Sequence, residues 1–299
     1  MPSAPPTDRR RANLRGIGFM LVAVAAFAVM DAALKVLAAQ YPPLQVAALR
    51  GMAALPLVAL WALATRPAAA LFRIRWPLHL LRGAIAIAML ATFAFALQDL
   101  PLSDVYAIFF IAPLLITALA VPILGERVDW QRWVAIAVGL AGVLVVLRPG
   151  GSGIGTWAGL AVAASALGYA ASAITVRVLG RTDSTQSMVF WMTLMLAVGG
   201  GALAAPGWVA IDAGHWDTLA VVAVTGAIGQ YAVTEAFRSA DAAAVAPFEY
   251  TALLWGVGLD WMVWQVAPQS HTMAGAAIVV ASGLYLIRRE ANAADPRPE

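Results

Sequence analysis

Cysteine is absent from the 299 residues of this chain, and charged side chains are scarce. Without cysteine neither a disulfide bond nor a thiolate metal site can form, and three histidines give little basis for any other metal site. Only 12% of the residues are charged, against about 25% in soluble domains. Such a chain cannot cover a water-facing surface of its size, which excludes an ordinary soluble fold.

Long apolar runs take the place of the missing charge, and 62% of the residues are apolar. The runs are roughly 20 residues long, which is the length that an α-helix needs to cross a hydrocarbon core. Lipid cannot satisfy backbone polar groups, so each run is predicted to be helical. The sequence predicts an all-α membrane protein with ten transmembrane helices, at residues 14–38, 44–64, 76–97, 102–123, 132–147, 155–177, 184–204, 215–237, 243–266 and 272–289.

The basic residues predict how these spans are oriented. With the N-terminus in the cytoplasm, sixteen of the 19 Lys and Arg residues fall on the cytoplasmic side, and only Arg148 falls in an outer loop. Cytoplasmic loops of membrane proteins carry such an excess. Both termini are therefore predicted to be cytoplasmic. Because the arginines lie in short loops between apolar runs, the pI of about 9.6 does not indicate a nucleic-acid partner.

The two halves of the chain resemble each other at an offset of 140–143 residues. Val105 corresponds to Val245, and Gly142 corresponds to Gly283. Because each half has an odd number of spans, two tandem copies must lie in opposite orientations, a design typical of secondary transporters. The predicted organisation is a disordered cytoplasmic N-terminus (1–13), two inverted five-helix repeats (14–148 and 155–289) and a cytoplasmic tail (290–299).

Sequence motifs for energy-driven or catalytic chemistry are missing. The chain has no phosphate-binding G-x-x-x-x-G-K-[ST] loop, so ATP is not expected to drive it directly. The H-E-x-x-H and G-x-S-x-G motifs of metalloproteases and serine hydrolases are also absent. The chain is therefore not expected to be an enzyme, and no catalytic residue, metal or cofactor is predicted. A membrane enzyme or scaffold is the less favoured alternative.

The segment from Ala96 to Gly142 carries a recognisable pattern. It contains Leu-Gly-Glu-Arg at 124–127, at the end of the fourth span, and a Gly139-x-x-Gly142 helix. The second half departs from this pattern, with Trp-Gln-Val-Ala at 264–267. The chain resembles the ten-helix, EamA type of the drug/metabolite transporter superfamily, and within it the aromatic amino acid exporters (YddG-like). The resemblance implies export by alternating access, through a cavity lined mainly by spans one, three, four, six, eight and nine.

Ionisable side chains inside the spans are the first candidates for function, because burying a charge in a bilayer is costly. Asp31 and Lys35 share a helix face at i and i+4, so they either pair with each other or line the outer half of a cavity. Arg50 could hold a substrate carboxylate or pair with Asp31. Glu249 could receive a substrate ammonium or a proton, or form a salt bridge with Arg238.

Aromatic and polar side chains in the spans are the second group of candidates. Tyr106, Phe109 and Pro113 share one face of the fourth span, where an apolar substrate group could stack, although ordinary helix packing would give the same spacing. The complete set of predicted cavity residues is Asp31, Lys35, Tyr106, Phe109, Pro113, Ser165, Tyr169, Trp191, Gln230, Tyr231, Phe248, Glu249 and Tyr250.

The sequence thus predicts a secondary transporter of the bacterial inner membrane that exports amino acids, aromatic and other neutral ones, or related small metabolites. The alternative is an exporter of drugs or other metabolites from the same superfamily, proton-coupled through an intramembrane carboxylate. The expected partners are a small-molecule substrate and membrane lipid, and the protein is expected to be monomeric.

Overall fold

The structure is a computed structural model that describes most of the chain, and all of its regular secondary structure within that part is helical. The described residues are 6–99, 108–126, 128–147 and 156–264, together with 270, 273–275, 277–278, 280–282 and 284–285. The tail at 290–299 and the predicted cavity residue Tyr106 therefore lie outside the described part.

The helices follow one another with short connections. They are α1 (Pro6–Ala38), α2 (Pro43–Thr65), α3 (Ala68–Phe72), α4 (Trp76–Asp99), α5 (Ala112–Leu124), α6 (Trp130–Leu147), α7 (Trp157–Leu179), α8 (Thr185–Ala204), α9 (Trp216–Ser239), α10 (Ala242–Val245) and α11 (Ala252–Trp264). Short 3₁₀ turns lie at Ala205–Gly207, Ala213–His215 and Ala246–Thr251.

Six of these helical regions are long and apolar enough to cross a bilayer: residues 10–38, 43–65, 76–93, 157–179, 185–207 and 213–239. Ala112–Leu124 is a shorter apolar helix. The prediction of an all-helical membrane protein is confirmed, while the count of ten spans stays a prediction. Two elements differ from the predicted span boundaries. Helix α1 begins at Pro6, eight residues before the predicted first span, and the short helix α3 lies where a loop was predicted.

Helix ends are set by local sequence. Thr156 and Ser184 precede α7 and α8, and their hydroxyls accept hydrogen bonds from the backbone N–H groups of Gly159 (3.1 Å) and Ser187 (3.2 Å). Such N-caps satisfy donors that have no partner in the first turn. Gly125 ends α5 with φ of 69°, in the left-handed region that glycine adopts without a steric cost. The glycine of the Leu-Gly-Glu-Arg pattern is therefore a helix terminator.

The predicted ninth span is broken near its start. Its first turn, α10, changes at Ala246 into a 3₁₀ segment that runs to Thr251, and α11 follows. Pro247 lies in this segment and lacks the backbone N–H that a regular helix would use. Residues 241–250 are all buried. This irregular backbone is thus enclosed by protein, as the bilayer requires.

The helices of the first half of the chain pack mainly against helices of the second half. The main partners are α1 with α9, α2 with α8, and α4 and α5 with α7. The largest buried cluster lies where α1, α5, α7 and α9 meet, and it includes Met20, Ile116, Ile174 and Phe237. Because the halves interlock in this way, a site in the centre draws side chains from both of them.

Replacing Gly51 by alanine is expected to lower stability, because a Cβ there would lie 2.6 Å from the backbone nitrogen of Ala197 on α8. The α2–α8 contact would have to widen, at a cost of about 1–3 kcal/mol. The melting temperature of the detergent-purified protein measures this. Gly18→Ala is the control, since a Cβ at Gly18 meets nothing within 4 Å. Equal melting temperatures for the two variants would contradict the prediction.

Candidate functional site

A carboxylate and a phenol meet in the middle of the helix bundle. The Tyr169 hydroxyl donates a hydrogen bond of 3.0 Å to Glu249 Oε1. Tyr169 is the thirteenth of the 23 residues of α7, so it lies near the centre of that span. Glu249 belongs to the 3₁₀ segment and is only 8% exposed. The predicted alternative, a salt bridge to Arg238, is not made, because Arg238 Nη1 lies instead 3.7 Å from Glu235 Oε1.

Aromatic rings extend from this pair along α4 and the start of the fourth predicted span. The rings of Phe109 and Tyr169 have centroids 5.6 Å apart, and Phe93 packs edge-on against Phe109, also at 5.6 Å. Pro113 is buried, and its carbonyl accepts a bond of 2.9 Å from the Thr117 hydroxyl. Phe109 and Tyr169 thus form an apolar wall beside a carboxylate.

A guanidinium and a second carboxylate lie on the side of α1 and α2. Arg50 interacts electrostatically with Asp31 and also with Tyr169. The guanidinium carbon of Arg50 lies 5.2 Å from the centre of the Phe27 ring, a cation–π contact. Lys35, which was predicted to share a face with Asp31, is exposed in the last turn of α1. Arg50 therefore lies near enough to Asp31 for an electrostatic interaction.

A small cavity opens next to this guanidinium. Its walls come from α2, α8 and α9, and it is lined by Arg50, Gly51, Ala54, Met192, Thr193, Leu196, Gly226 and Gln230. Gln230 was a predicted cavity residue, and its amide also bonds to the Thr234 hydroxyl at 3.4 Å. The cavity places an amide near the Arg50 side chain, so a carboxylate held by Arg50 would have a second polar neighbour.

The remaining predicted residues lie around this centre with partners of their own. The Ser165 hydroxyl donates to the Met89 carbonyl (3.0 Å), and the Trp191 indole donates to the Leu71 carbonyl (2.8 Å). Tyr231 packs edge-on against two other aromatic rings, those of Phe19 and Trp61. Phe248 is part of the largest buried cluster, and Tyr250 packs against Phe110. The structure thus joins Phe109, Tyr169 and Glu249 in one chain of contacts, and it places Gln230 on the cavity that Arg50 lines.

Sequence reasoning missed a polar cluster at the end of the bundle where α1 begins and α7 and α9 end. We call it the Glu126 network, and it consists of Asn13, Glu126, Arg177 and Asp241. Glu126 accepts hydrogen bonds from the N–H groups of Ala242 (2.9 Å) and Ala243 (3.1 Å). Burial raises the pKa of Glu126, although these two N–H groups oppose the rise. The arginine distribution predicts that this end is cytoplasmic.

Arg177 and Asn13 complete the network. Arg177 Nη2 lies 3.1 Å from Asp241 Oδ1, and Nη1 donates to the carbonyl of Arg238 at 3.0 Å. Arg177 Nε lies 3.7 Å from Glu126 Oε1. The Asn13 amide oxygen accepts the Asp241 N–H at 3.0 Å. The network therefore ties α1, α5 and α7 to the junction between α9 and α10.

Two histidine contacts join segments that are distant in the sequence, one at each end of the bundle. At one end Tyr41 Oη lies 2.8 Å from His215 Nδ1. At the other end His79 Nε2 lies 2.8 Å from Asp183 Oδ2. Burial alone would raise the pKa of Asp183, but hydrogen bonds from Thr182, His79 and the Arg75 N–H lower it below its usual value. These contacts join distant parts of the chain, so no local sequence pattern could have indicated them.

Comparison with known proteins identifies the family. The model of the EamA-like transporter family matches residues 14–148 and 156–289. The chain belongs to the EamA-like transporter family. The EamA-like fold is similar to that of a solved crystal structure, with a TM-score of 0.79 over 94% of this chain and 99% of that chain, at 20% identity. At that identity the likeness shows the fold alone.

Relatives of this EamA-family chain have several substrates. It is 32% identical to the riboflavin transporter of Rhizobium johnstonii over 71% of this chain and 70% of the relative. It is 25% identical to the S-adenosylmethionine uptake transporter of Rickettsia conorii over 98% and 99% of the two chains. It is 24% identical to the pseudopaline exporter CntI of Pseudomonas aeruginosa over 91% and 96%. The chain is a small-metabolite transporter of the bacterial inner membrane, which it crosses several times.

Proposed function

We propose that this EamA-family transporter exports zwitterionic metabolites, namely amino acids and compounds derived from them, with a preference for aromatic ones. The supporting observations are the hydrogen bond from Tyr169 to Glu249 and the position of Arg50, which lies near enough to Asp31 and Tyr169 to interact with both electrostatically. A zwitterion carries the complementary pair of charges. Opposite charges at a buried site therefore match such a substrate better than a neutral or singly charged one.

Each group of the substrate has a partner in this arrangement. Arg50 would hold the carboxylate, because a guanidinium binds carboxylates through two parallel hydrogen bonds. Glu249 would accept the ammonium group. The Phe109 and Tyr169 rings would contact the apolar or aromatic side chain. Since charges are strongly disfavoured in the bilayer, a substrate that neutralises both protein groups would be bound selectively.

Alternating access between two inverted five-helix repeats is the mechanism we propose. In the predicted repeat, α1, α2 and α4 of the first half correspond to α7, α8 and α9 of the second half. The counterpart of the α1–α9 contact is therefore the α7–α4 contact, and the α2–α8 contact is its own counterpart. The observed helix partners have this relationship. Two bundles related in this way can present one central site to either side of the membrane. The absence of an ATP-binding motif from the sequence is consistent with a gradient-driven or facilitated process.

A second candidate is a carrier for a different metabolite or drug, proton-coupled through Glu249. The riboflavin relative favours this candidate, since riboflavin is not an amino acid. The name of the S-adenosylmethionine relative specifies uptake, which is opposite in direction to the export proposed above. S-adenosylmethionine carries both an amino acid group and an aromatic base, so it would also fit a site with Arg50, Glu249 and an aromatic wall. The two candidates differ in whether amino acids are transported at all and in whether transport is coupled to protons through Glu249.

Flux into proteoliposomes should separate the candidates. We expect saturable transport of radiolabelled phenylalanine and tryptophan, with competition by unlabelled S-adenosylmethionine and none by riboflavin. Protein-free liposomes measure leakage, and the same assay with an imposed pH gradient measures proton coupling. Riboflavin flux without phenylalanine flux would overturn the amino acid proposal and favour the second candidate. A rate that does not respond to the pH gradient would overturn proton coupling.

A further inference from the structure

The Glu126 network closes one end of the bundle. Glu126 is 9% exposed, Asp241 5% and Asn13 3%. Below them the backbone of α1 lies directly against the α9–α10 junction, since a Cβ on Gly16 would be 2.3 Å from Ala240 Cβ. Ala240 itself is only 1% exposed. A solute therefore has no room to pass between α1 and this junction in the observed conformation.

The same network is connected to the substrate site through the backbone. Glu126 accepts hydrogen bonds from the N–H groups of Ala242 and Ala243. Helix α10 continues directly into the 3₁₀ segment that contains Glu249. These N–H groups lie in the first turn of a helix and have no acceptor within it. If Glu126 left, the start of this segment would lose its acceptor, and the position of Glu249 would be less restricted.

The acid of this network has no counterpart in the second half of the sequence. Leu-Gly-Glu-Arg at 124–127 corresponds to Trp-Gln-Val-Ala at 264–267, so Val266 stands where a second Glu126 would be. Val266 has neither charge nor side-chain acceptor. An inverted repeat would otherwise place an equal contact at both ends of the bundle. The sequence therefore provides an interaction of the Glu126 type in the first repeat and not in the second.

We propose that Glu126, Arg177 and Asp241 form the cytoplasmic gate of the transport pathway and bias the protein towards the conformation that is closed on that side. Glu126 is a positioning residue here, since it acts on Glu249 through α10. The proposal depends on the alternating-access part of the proposed function, and it does not depend on the identity of the substrate. Opening requires that the charged hydrogen bonds of Glu126 and Arg177 break, so removing one should increase the open population.

Cysteine labelling tests this gate, because the natural chain contains no cysteine. Ala120→Cys places a reporter on α5 at a fully buried position, and the backbone carbonyl of residue 120 accepts the Glu126 N–H at 3.3 Å. The full-length protein in inside-out vesicles is treated with a membrane-impermeant maleimide, without substrate. We expect Glu126→Gln to raise the labelling rate about tenfold, since charged hydrogen bonds are the strong ones.

Two further variants make the result decisive. Asp241→Asn removes one of the two carboxylates that Arg177 pairs with and should also raise the labelling rate. Asp129→Asn is the matched control, since Asp129 is exposed and bonds to the start of its own helix, α6, through the Arg132 N–H. Equal labelling in Glu126→Gln and Asp129→Asn would overturn the proposal. If Glu126→Gln is not monodisperse on size exclusion, unchanged labelling in Asp241→Asn would overturn it instead. Absence of amino acid transport would leave this labelling result intact.

Discussion

Transport of phenylalanine by the Glu249→Gln variant is expected to fall about 10- to 100-fold. The substitution keeps the size of the side chain and an oxygen that can accept the Tyr169 hydroxyl, now 3.0 Å away, so the local structure should persist. What it removes is the negative charge that would bind the substrate ammonium. A hydrogen bond to a charged group is worth about 1.5–3 kcal/mol, and each 1.4 kcal/mol is about a factor of ten.

A control variant and an exchange assay identify the role of the negative charge on Glu249. Glu235→Gln is the control, because Glu235 also lies on the bundle interior but bonds to Thr185 and lies near Arg238, away from the proposed site. Exchange of labelled for unlabelled phenylalanine, without any gradient, then separates binding of the substrate ammonium from proton coupling. If Glu249 binds the ammonium, exchange and gradient-driven transport fall together. Full retention of both in Glu249→Gln would contradict the proposed role of this carboxylate.

The Arg50→Gln variant should lose its selectivity for substrates that carry a carboxylate. In the wild-type protein we expect phenylalanine to be preferred over phenethylamine, which has the same ring and ammonium group but no carboxylate. Without the guanidinium the preference should fall about tenfold or more, since charge-assisted bonds to a carboxylate are among the strongest hydrogen bonds. Competition of the two compounds against labelled phenylalanine in proteoliposomes gives the ratio.

Loss of Arg50 also leaves Asp31 without its electrostatic partner, which could destabilise the fold by itself. The Asp31→Asn/Arg50→Gln double variant removes that complication, because no unpaired charge remains. Arg50→Lys keeps the positive charge without the planar fork and should retain part of the preference. An unchanged preference for phenylalanine in the double variant would exclude Arg50 as the carboxylate partner.

Hydropathy was sufficient to predict an all-helical membrane protein and the six long apolar helices of the described part, because crossing a bilayer imposes both a length and a composition. The observed α2 and α8 begin within one residue of the predicted spans. The site was predicted only as a set of candidates. Tyr169 and Glu249 are 80 positions apart, and hydropathy carries no information on which spans become neighbours. For Asp31 the sequence offered Lys35 and Arg50 as alternative partners, since the i, i+4 spacing within α1 carries no information on the distance to a residue of α2.

The Leu-Gly-Glu-Arg segment is a second case in which local sequence does not predict a contact with a distant segment. From the sequence, Leu-Gly-Glu-Arg was interpreted only as the end of the fourth span. Gly125 does end the helix, as its positive φ requires. The Glu126 carboxylate, however, reaches backbone groups 116 and 117 positions further along the chain. A local pattern can predict the end of the helix. It cannot predict which distant segment will bind the carboxylate that follows.

The α2–α8 pair provides a natural reference axis for measuring motion. At one end of the pair Gln45 exchanges two hydrogen bonds with Val209, at 2.6 and 2.8 Å. Within the pair, Gly51 of α2 lies against the backbone of Ala197 on α8. Towards the other end, Trp191 of α8 bonds to the Leu71 carbonyl of α3, the short helix that follows α2. A pair held at one end and in the middle should move as one body. Spin labels or fluorophores placed on α2 and α8 should then keep a constant separation during turnover, so that distances from them to α5 or α10 report the displacement of those helices alone.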